Sequence, residues 1–174
     1  RFSRWINNEK IEEELYLLPF AESLLLQLAL ETLVLIIDGS VIGRGCVCLM
    51  VSVVYKGRAL PIAWTVVKGN KGHLPEEVHI DLVQQVKRFV AEKAEVVFLG
   101  DGEFDGVNLQ KVIKDYNWKY VFRTAENIKI FWNDYEFNCN FLSFIIDINE
   151  LIGVPDVLFT NEKYGPVMII CWWK

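Results

Sequence analysis

The chain has 174 residues, of which 52% are hydrophobic, and its net charge at pH 7 is −5. This length and apolar content suit one folded domain with a sizeable core, or one domain with an appendage, and they exclude a disordered chain. The negative charge does not indicate a nucleic-acid-binding protein, so any contact with DNA requires a local basic patch.

Nothing in the sequence resembles a secretory signal, and no apolar run reaches the roughly 18 residues of a membrane span. The cysteines lack the paired spacing of a zinc site, so we expect buried thiols. They are Cys46, Cys48, Cys139 and Cys171. These features predict a reducing, cytoplasmic setting. The chain starts at Arg1 and stops inside an apolar run, so we expect a fragment of a longer protein.

The first half of the chain alternates between helical and extended patterns. Residues 7–30 have helical periodicity interrupted by Pro19, which predicts two helices or a kink. The unbroken apolar run Leu33–Asp38 predicts a strand buried on both faces. Two β-rich runs follow between residues 46 and 67, and the tripeptide KGR at 56–58 predicts the hairpin turn that joins them.

The next elements alternate between helix and strand. A helix is predicted to begin at Pro75, because acids follow the proline, apolar residues recur at helical spacing and bases end the run. The strand "EVVFLGD" ends at Asp101, and Asp105 is the predicted N-cap of a second helix. A short strand, "KYVFR", ends at Arg123. The order β-β-β-α-β-α-β is typical of an α/β fold, a mixed sheet with helices on its faces.

From about Thr124 onward the chain is rich in Phe, Trp, Ile and Val and has no convincing helical pattern. Turn signals at 133–134 and at 164–166 divide this part into strands. We therefore predict three parts, which are an N-terminal helical segment (1–32), an α/β core (33–123) and a β-rich segment (124–174).

Two aspartates, Asp38 and Asp101, each follow a buried apolar run and are each followed by glycine. Asp-Gly is also common turn chemistry, which is the alternative explanation for either residue. If the two strands are adjacent and parallel, both carboxylates lie at one edge of the sheet, where α/β proteins place their active sites. Two carboxylates there repel each other unless they share a cation, and Mg²⁺ suits them.

Five stretches resemble, in this order, the DDE transposases of bacterial insertion sequences: "LVLIIDGS", "YKGRALPIAWTVVKGNKGH", "VVFLGDGEFDG", "YVFRTAEN" and "YGPVMIICWWK". They are similar to the branch whose ribonuclease H-like catalytic domain is interrupted by a β-rich insertion. The resemblance implies that residues 33–123 are a partial ribonuclease H-like core and that 124–174 begin the insertion. It also implies Asp38 and Asp101 as catalytic residues that bind Mg²⁺, for which Mn²⁺ substitutes.

The activity that the resemblance implies is cleavage and transfer of DNA strands without a covalent enzyme intermediate. The implied partners are transposon-end DNA and target DNA, with no membrane partner and with a homodimer for the full-length protein. Arg123 matches an arginine that lies near the DNA backbone in the family. We predict that Lys119, Lys68 and Lys71 join Arg123 in a local basic patch.

The sequence departs from the family pattern at two places. Gly39-Ser40 stands where many members have a second acid or a threonine. The third catalytic acid, a glutamate on a helix after the insertion, has no match, since Glu150 and Glu162 lie in the β-rich segment. We therefore expect the chain to stop before that glutamate and to be inactive alone. The alternatives are another ribonuclease H-like nuclease and a non-catalytic DNA-binding or remnant domain.

Two further polar residues have predicted places near this site. Glu103 is close enough in sequence to Asp101 to tune it. His79 is predicted to lie on the surface of the helix that begins at Pro75, and it does not form a metal-binding pair with His73 at helical spacing.

Overall fold

The computed structural model of the protein describes residues 13–172. The chain divides into two compact units, Arg1–Arg123 and Thr124–Lys174, called here the first and second units. The predicted helical residues 7–12 lie outside the described range. Within that range, no helix is both long and apolar enough to cross a membrane. The described chain is a mixed α/β protein.

The described part of the first unit has three helices and one five-stranded mixed sheet. Its helices are α1 (Glu13–Leu28), α2 (Glu76–Lys87) and α3 (Val107–Asp115). Its strands are β1 (Leu33–Gly43), β2 (Cys46–Tyr55), β3 (Arg58–Lys68), β4 (Val96–Gly100) and β5 (Lys119–Phe122). The predicted order β-β-β-α-β-α-β is confirmed.

The strands lie in the order β3-β2-β1-β4-β5 across the sheet. β1, β2 and β3 are antiparallel neighbours, whereas β4 is parallel to β1 and β5 is parallel to β4. The predicted hairpin between β2 and β3 is confirmed. Its two turn residues, Lys56 and Gly57, have φ angles of 49° and 73°, as a two-residue turn that follows the twist of the strands requires.

The core of the first unit lies on one face of the sheet. Leu33, Leu35 and Ile37 alternate as buried residues along β1, while the residues between them are only half-buried. This differs from the expected burial on both faces. The helices contribute further members of the same apolar cluster, namely Ala21, Leu25, Leu82, Val83, Val86, Leu109 and Ile113.

The helix α1 is continuous through Pro19, so of the two predicted alternatives, two helices or a kink, the division into two helices is wrong. Proline removes one backbone hydrogen bond from a helix interior and costs about 3 kcal/mol there. Ala21 and Leu25 are fully buried in the core of the first unit. Their burial stabilises the helix beyond the proline, because tertiary packing of an apolar face dominates helix stability.

The strand β1 is longer than the sequence predicts. It was predicted to end at Asp38, but it continues to Gly43 because β2 remains paired with it. Its pairing with β4 stops earlier, at Ile36 opposite Leu99. At Asp38, therefore, β1 still pairs with the antiparallel strand β2 but no longer pairs with the parallel strand β4.

The helix α2 begins at Glu76, with Pro75 as its N-cap, so the predicted start is wrong by one residue only. The predicted cap of α3 is wrong, because Gly106 and not Asp105 occupies the N-cap position. Instead, the Glu76 carboxylate accepts the backbone N–H of Leu109 at 2.7 Å. The start of α3 is thus capped by an acid from α2.

In the second unit, four strands form an antiparallel sheet in the order β7-β6-β8-β9. They are β6 (Lys129–Trp132), β7 (Tyr135–Asn138), β8 (Leu151–Phe159) and β9 (Tyr164–Trp172), with a 3₁₀ helix at Cys139–Phe144. The predicted turn at 133–134 is confirmed. The predicted turn at 164–166 is wrong, since these residues begin β9 and the turn precedes them.

Candidate functional site

Asp38 and Asp101 lie at the same edge of the first unit's sheet. β1 and β4 pair in parallel, with Ile36 opposite Leu99. Asp38 and Asp101 each lie two positions beyond this last pair, so both residues follow neighbouring parallel strands at the same end of the sheet. The predicted adjacent and parallel strands are confirmed, while the catalytic role of the two aspartates stays a prediction.

Both aspartate side chains lie on the solvent side of this edge. Ile37 and Gly39 are buried, whereas Asp38 between them is exposed, as the alternation of side chains along a strand requires. Asp101, the residue directly after β4, is exposed as well. Two exposed carboxylates at the carboxyl end of parallel strands are therefore accessible to a ligand from solution.

Asp38 is paired with a lysine from the loop that follows β3. Lys71 Nζ lies 3.3 Å from Asp38 Oδ1, and the two side chains are 42% and 62% exposed. The flanking glycines Gly69 and Gly72 have φ angles of 155° and 81°, which side chains with a Cβ rarely adopt. The glycines let the loop fold back so that Lys71 reaches the edge of β1.

Asp101 takes part in a tight turn. Its Oδ1 accepts the backbone N–H of Glu103 at 3.0 Å, and its carbonyl oxygen accepts the N–H of Phe104 at 3.1 Å. Turn chemistry, the alternative explanation for this aspartate, is thus present in the structure. The turn also fixes the carboxylate at the sheet edge, so the structural and functional explanations are compatible.

Glu103 turns its carboxylate beneath the sheet edge. Both of its oxygens are buried, and neither has a hydrogen-bond partner among the described residues. A Cβ placed on Gly39 would lie 3.3 Å from Glu103 Oε2, so the carboxylate packs directly against the residue that follows Asp38. Glu103 therefore contacts the backbone of β1 from within the protein.

His79 lies near this carboxylate and is buried, so its predicted position on the helix surface is wrong. It is 3% exposed, and its ring packs against Phe104 with a centroid separation of 4.9 Å. Burial lowers the pKa of His79, while the charges of Glu103 and Glu76 act in the opposite direction. Its Nε2 has no hydrogen-bond partner among the described residues.

The four basic residues of the predicted patch do not all lie together. The backbone N–H of Arg123 donates to the backbone carbonyl of Gly100 at 3.1 Å, which places Arg123 beside the turn of Asp101. Lys119, in contrast, is at the opposite end of β5, where it forms an ion pair with Glu95 at 2.5 Å. The four residues of β5 thus separate Lys119 from Arg123, and the structure does not bring Lys119 to the aspartates.

Lys68 lies further along the edge that carries Asp38. Asp38 pairs with Met50 of β2, and Met50 pairs with Trp64 of β3. Lys68 lies four positions after Trp64, at the end of β3. β3 runs in the same direction as β1, so its carboxyl end faces the same way. Lys71 and Arg123 therefore lie beside the two aspartates, whereas Lys68 lies beyond them, level with Gly43 at the end of β1.

The donor chemistry of the edge fits a hard cation, although the ligands are not preassembled. Asp38 and Asp101 offer exposed carboxylate oxygens, which Mg²⁺ and Mn²⁺ prefer. Within residues 13–172, no group of three or more His, Cys, Asp or Glu side chains is arranged to hold a metal ion. A cation bound by the two aspartates would complete its shell with water or with phosphate oxygens.

Cys46 and Cys48 lie on β2, opposite Gly43 and Ser40 of β1, whereas Cys139 and Cys171 belong to the second unit. All four are half-buried and none forms a disulfide. Burial, together with the neighbouring Cys171 thiol, raises the pKa of Cys139 to about 11. This thiol is therefore protonated at neutral pH and is a weak nucleophile and metal ligand.

The contact of Glu103 with β1 was not predicted from the sequence. A signal was present, because Gly39 directly follows Asp38, and a glycine inside a strand often marks the close approach of another group. Gly106 is a similar case, since a Cβ there would overlap the carboxylate of Glu76. In both cases the glycine indicates that something approaches, but it does not identify the partner.

No family model matches the sequence, and no curated protein is significantly similar to it. Two solved structures of Ppx/GppA proteins from Aquifex aeolicus show a partial likeness. One is 18% identical with a TM-score of 0.27, and the match covers 55% of this chain and 36% of that one. The other is 17% identical with a TM-score of 0.23, and the match covers 52% and 36%. The match thus spans about a third of those chains, and a likeness this low carries no functional argument.

Proposed function

We propose that the chain is part of the catalytic domain of a DDE-type DNA transposase, which cleaves and joins DNA strands with Mg²⁺. The observation that carries the proposal is the parallel pairing of β1 with β4, because Asp38 and Asp101 each lie two positions beyond its last pair, Ile36 and Leu99. The resemblance in sequence assigns the same two residues to the catalytic site. The strand pairing and the sequence resemblance therefore concern the same two residues.

The sheet of the first unit supports a ribonuclease H-like core as part of this proposal. Three antiparallel strands are followed by two parallel strands, with helices α2 and α3 in the connections. A helical connection is what parallel neighbours need, whereas a short turn joins antiparallel ones. This is the mixed sheet that the resemblance implies for residues 33–123.

In the proposed reaction, the carboxylates of Asp38 and Asp101 are the groups that would hold Mg²⁺ at the sheet edge. When bound there, the ion would supply Lewis-acid chemistry for displacement at the phosphodiester. The turn at Glu103 fixes the carboxylate of Asp101, and precise placement matters because loose positioning is costly in rate. Lys71 and Arg123 supply positive charge for the DNA phosphates on either side of the aspartates.

Another ribonuclease H-like nuclease would use the same two aspartates and remains the alternative within enzymes. A non-catalytic DNA-binding or remnant domain is the alternative from another class. The ion pair between Lys71 and Asp38 favours this second alternative, since a lysine that neutralises the aspartate replaces a metal ion. Metal binding by the isolated protein separates the classes.

The test is calorimetric titration with Mn²⁺ and a nicking assay on supercoiled DNA. We expect weak Mn²⁺ binding that Asp38→Asn and Asp101→Asn each reduce, and little or no nicking. Asp81→Asn, which removes an exposed carboxylate from α2, is the matched control and should leave binding unchanged. Equal Mn²⁺ binding by all four proteins would contradict the proposal. Strong nicking that Asp101→Asn abolishes would mean that a third ligand lies within these residues.

A further inference from the structure

We propose that the exposed face of β1, β2 and β3 binds unpaired nucleotides of a DNA strand, with the ring of Trp64 stacking on a base. The inference rests on the proposed function for the choice of DNA as the ligand, and it names the strand conformation that the site accepts. It requires no metal ion. Three observations carry it, which are the charge of residues 39–75, the position of Trp64 beside Asp38 and the bases at the end of the face.

The segment that forms β2 and β3 differs in charge from the rest of the chain. Residues 39–75 contain no aspartate or glutamate but five lysines or arginines, which are Arg44, Lys56, Arg58, Lys68 and Lys71. The whole chain has a net charge of −5, so this segment carries +5 and the remaining residues carry −10. Such a charge asymmetry within one chain indicates a segment that attracts nucleic-acid phosphates, although the protein as a whole is acidic.

Trp64 lies on the same face of the sheet as the candidate metal ligand Asp38. Asp38 pairs with Met50, and Met50 pairs with Trp64. Directly paired residues of antiparallel strands project to the same face, so these three side chains form one row. Neighbouring strands are about 4.8 Å apart, which puts the backbone of Trp64 roughly 10 Å from that of Asp38. A base on Trp64 and a phosphate at Asp38 are therefore close neighbours along one DNA strand.

The surroundings of Trp64 leave its ring accessible. Trp64 is 39% exposed, whereas Trp118 of the core is 5% exposed. Within residues 13–172, Trp64 forms no aromatic pair and no cation–π contact. The next row on the same face is uncharged and consists of Ser40, Cys48 and Val66. An accessible aromatic ring beside an uncharged surface suits the flat face of a base, and every base has such a face.

Two basic residues lie together at the end of this face. The backbone N–H of Gly69 donates to the carbonyl of Gly45 at 2.9 Å, so the turn that carries Arg44 lies beside the end of β3 that carries Lys68. Both side chains are exposed, and no ion pair among the described residues engages either of them. Proteins that bind single-stranded DNA combine aromatic rings for the bases with basic residues along the backbone. Arg44 and Lys68 therefore supply the phosphate contacts, and Trp64 supplies the base contact.

The competing explanation is that the same face contacts another protein. An exposed tryptophan serves both purposes, but a protein partner would have to be acidic to match Arg44 and Lys68. A DNA duplex is a further alternative, and it would use the basic residues without Trp64, because its bases are stacked on one another. The dependence of single-strand and duplex affinity on Trp64 thus separates the three occupants.

The test is fluorescence anisotropy of a labelled oligothymidylate of about 12 nucleotides, a length within the site sizes of single-strand-binding proteins. We expect Trp64→Ala to lower the affinity about tenfold, as loss of stacking on one base does, without changing the salt dependence. Arg44→Ala should reduce the slope of log affinity against log salt by about 0.7, because one phosphate contact to a single strand is lost. Trp132→Ala is the matched control, since Trp132 is 38% exposed in the second unit, and it should leave the affinity unchanged.

A second measurement does not depend on the folding of an alanine variant. Unlabelled oligothymidylate should quench part of the tryptophan emission of the unmodified protein. Trp64→Phe should keep the affinity within about threefold, because phenylalanine also stacks on bases, but should lose most of the quenching. Full quenching in Trp64→Phe would mean that the base contacts another tryptophan and would overturn the inference.

Three other results would overturn the inference. One is an equal loss of affinity in Trp64→Ala and Trp132→Ala, and another is a loss of duplex affinity in Trp64→Ala as large as the loss for the single strand. The third is tighter binding of an oligouridylate, which would assign the face to RNA. If Mn²⁺ binds at the aspartates and the single strand does not bind, the inference fails while the proposed function stands. If the single strand binds through Trp64 and Mn²⁺ does not bind, the inference stands and the proposed function fails. If neither ligand binds, both fail.

Discussion

Lys71 Nζ lies 3.3 Å from Asp38 Oδ1, so a predicted DNA-binding lysine contacts a predicted metal ligand. The two roles compete, because a cation that binds Asp38 repels the ammonium group and releases it toward the surrounding solvent. A phosphate in the site would attract the released lysine. The ion pair therefore links the metal and DNA interactions of the proposed function through a single side chain.

Replacement of Lys71 by methionine should strengthen metal binding modestly. An exposed ion pair contributes about 1 kcal/mol or less, so the Mn²⁺ affinity should rise by no more than about fivefold. Calorimetric titration at low ionic strength measures the effect, which should shrink as salt screens the pair. Lys68→Met is the control, since Lys68 lies four positions beyond the level of Asp38. A weaker affinity in Lys71→Met would mean that the lysine supports the site and does not compete with the metal.

Gly106→Ala should destabilise the first unit through Glu76. The Glu76 carboxylate caps α3 by accepting the Leu109 N–H and the side-chain amide of Asn108, and a Cβ on Gly106 would displace it. Loss of a helix cap costs about 1 kcal/mol, so Gly106→Ala and Glu76→Ala should each lower the free energy of unfolding by about that amount. Urea unfolding provides the measurement.

The double variant distinguishes this explanation from two separate effects. Without the Glu76 carboxylate, the Cβ at position 106 has nothing to displace, so the double variant should lose about as much as Glu76→Ala alone. Glu77→Ala, at an exposed position of the same helical turn, should change stability by less than about 0.5 kcal/mol. If the losses of unfolding free energy in the two single variants add up in the double variant, Gly106 and Glu76 act independently.

The Cys139 thiol should react slowly with iodoacetamide in the folded protein. Burial raises its pKa from 9.0 to about 11, so it is protonated at pH 8, and its rate should rise about tenfold per pH unit up to pH 10. Because the folded pKa exceeds the unfolded value, the associated stability is present below pH 9 and is lost as the pH rises from 9 toward 11. Mass spectrometry of the alkylated peptide measures the rate. Equal rates in buffer and in urea at pH 8 would contradict the assigned burial.

The sequence allowed most of the first unit to be predicted, because its signals are local. Apolar runs mark β1 and β4, and Lys56 and Gly57 mark the hairpin by their preference for a tight turn. The parallel adjacency of β1 and β4 was predicted from the buried apolar pattern that the two strands share. The end of β1 could not be found in this way, since its pairing beyond Asp38 depends on β2 and not on its own composition.

The parts of the site that were not predicted depend on contacts between distant residues. Glu76 and Leu109 are 33 positions apart, so the cap of α3 is invisible to local patterns, which favoured Asp105. His79 is a different case, because Leu82 and Val86 follow it at spacings of three and seven, and that periodicity indicates the buried face of α2. His79 was predicted to lie on the surface because it is polar, and its spacing from Leu82 and Val86 was not used.

The basic edge of the first unit should bind DNA through Arg123, Lys68 and Lys71 but not through Lys119. Arg123 lies beside the turn of Asp101, whereas Lys119 is paired with Glu95 at the other end of β5. Arg123→Ala and Lys68→Ala should each weaken binding of a DNA duplex, and each should reduce the slope of log affinity against log salt by about one, because each phosphate contact releases condensed counterions. Lys119→Ala should leave affinity and slope unchanged. Fluorescence anisotropy between low and physiological salt provides both quantities. If Lys119→Ala weakens binding as much as Arg123→Ala does, the DNA contacts both ends of β5. The edge that carries the two aspartates is then not a specific DNA-binding site.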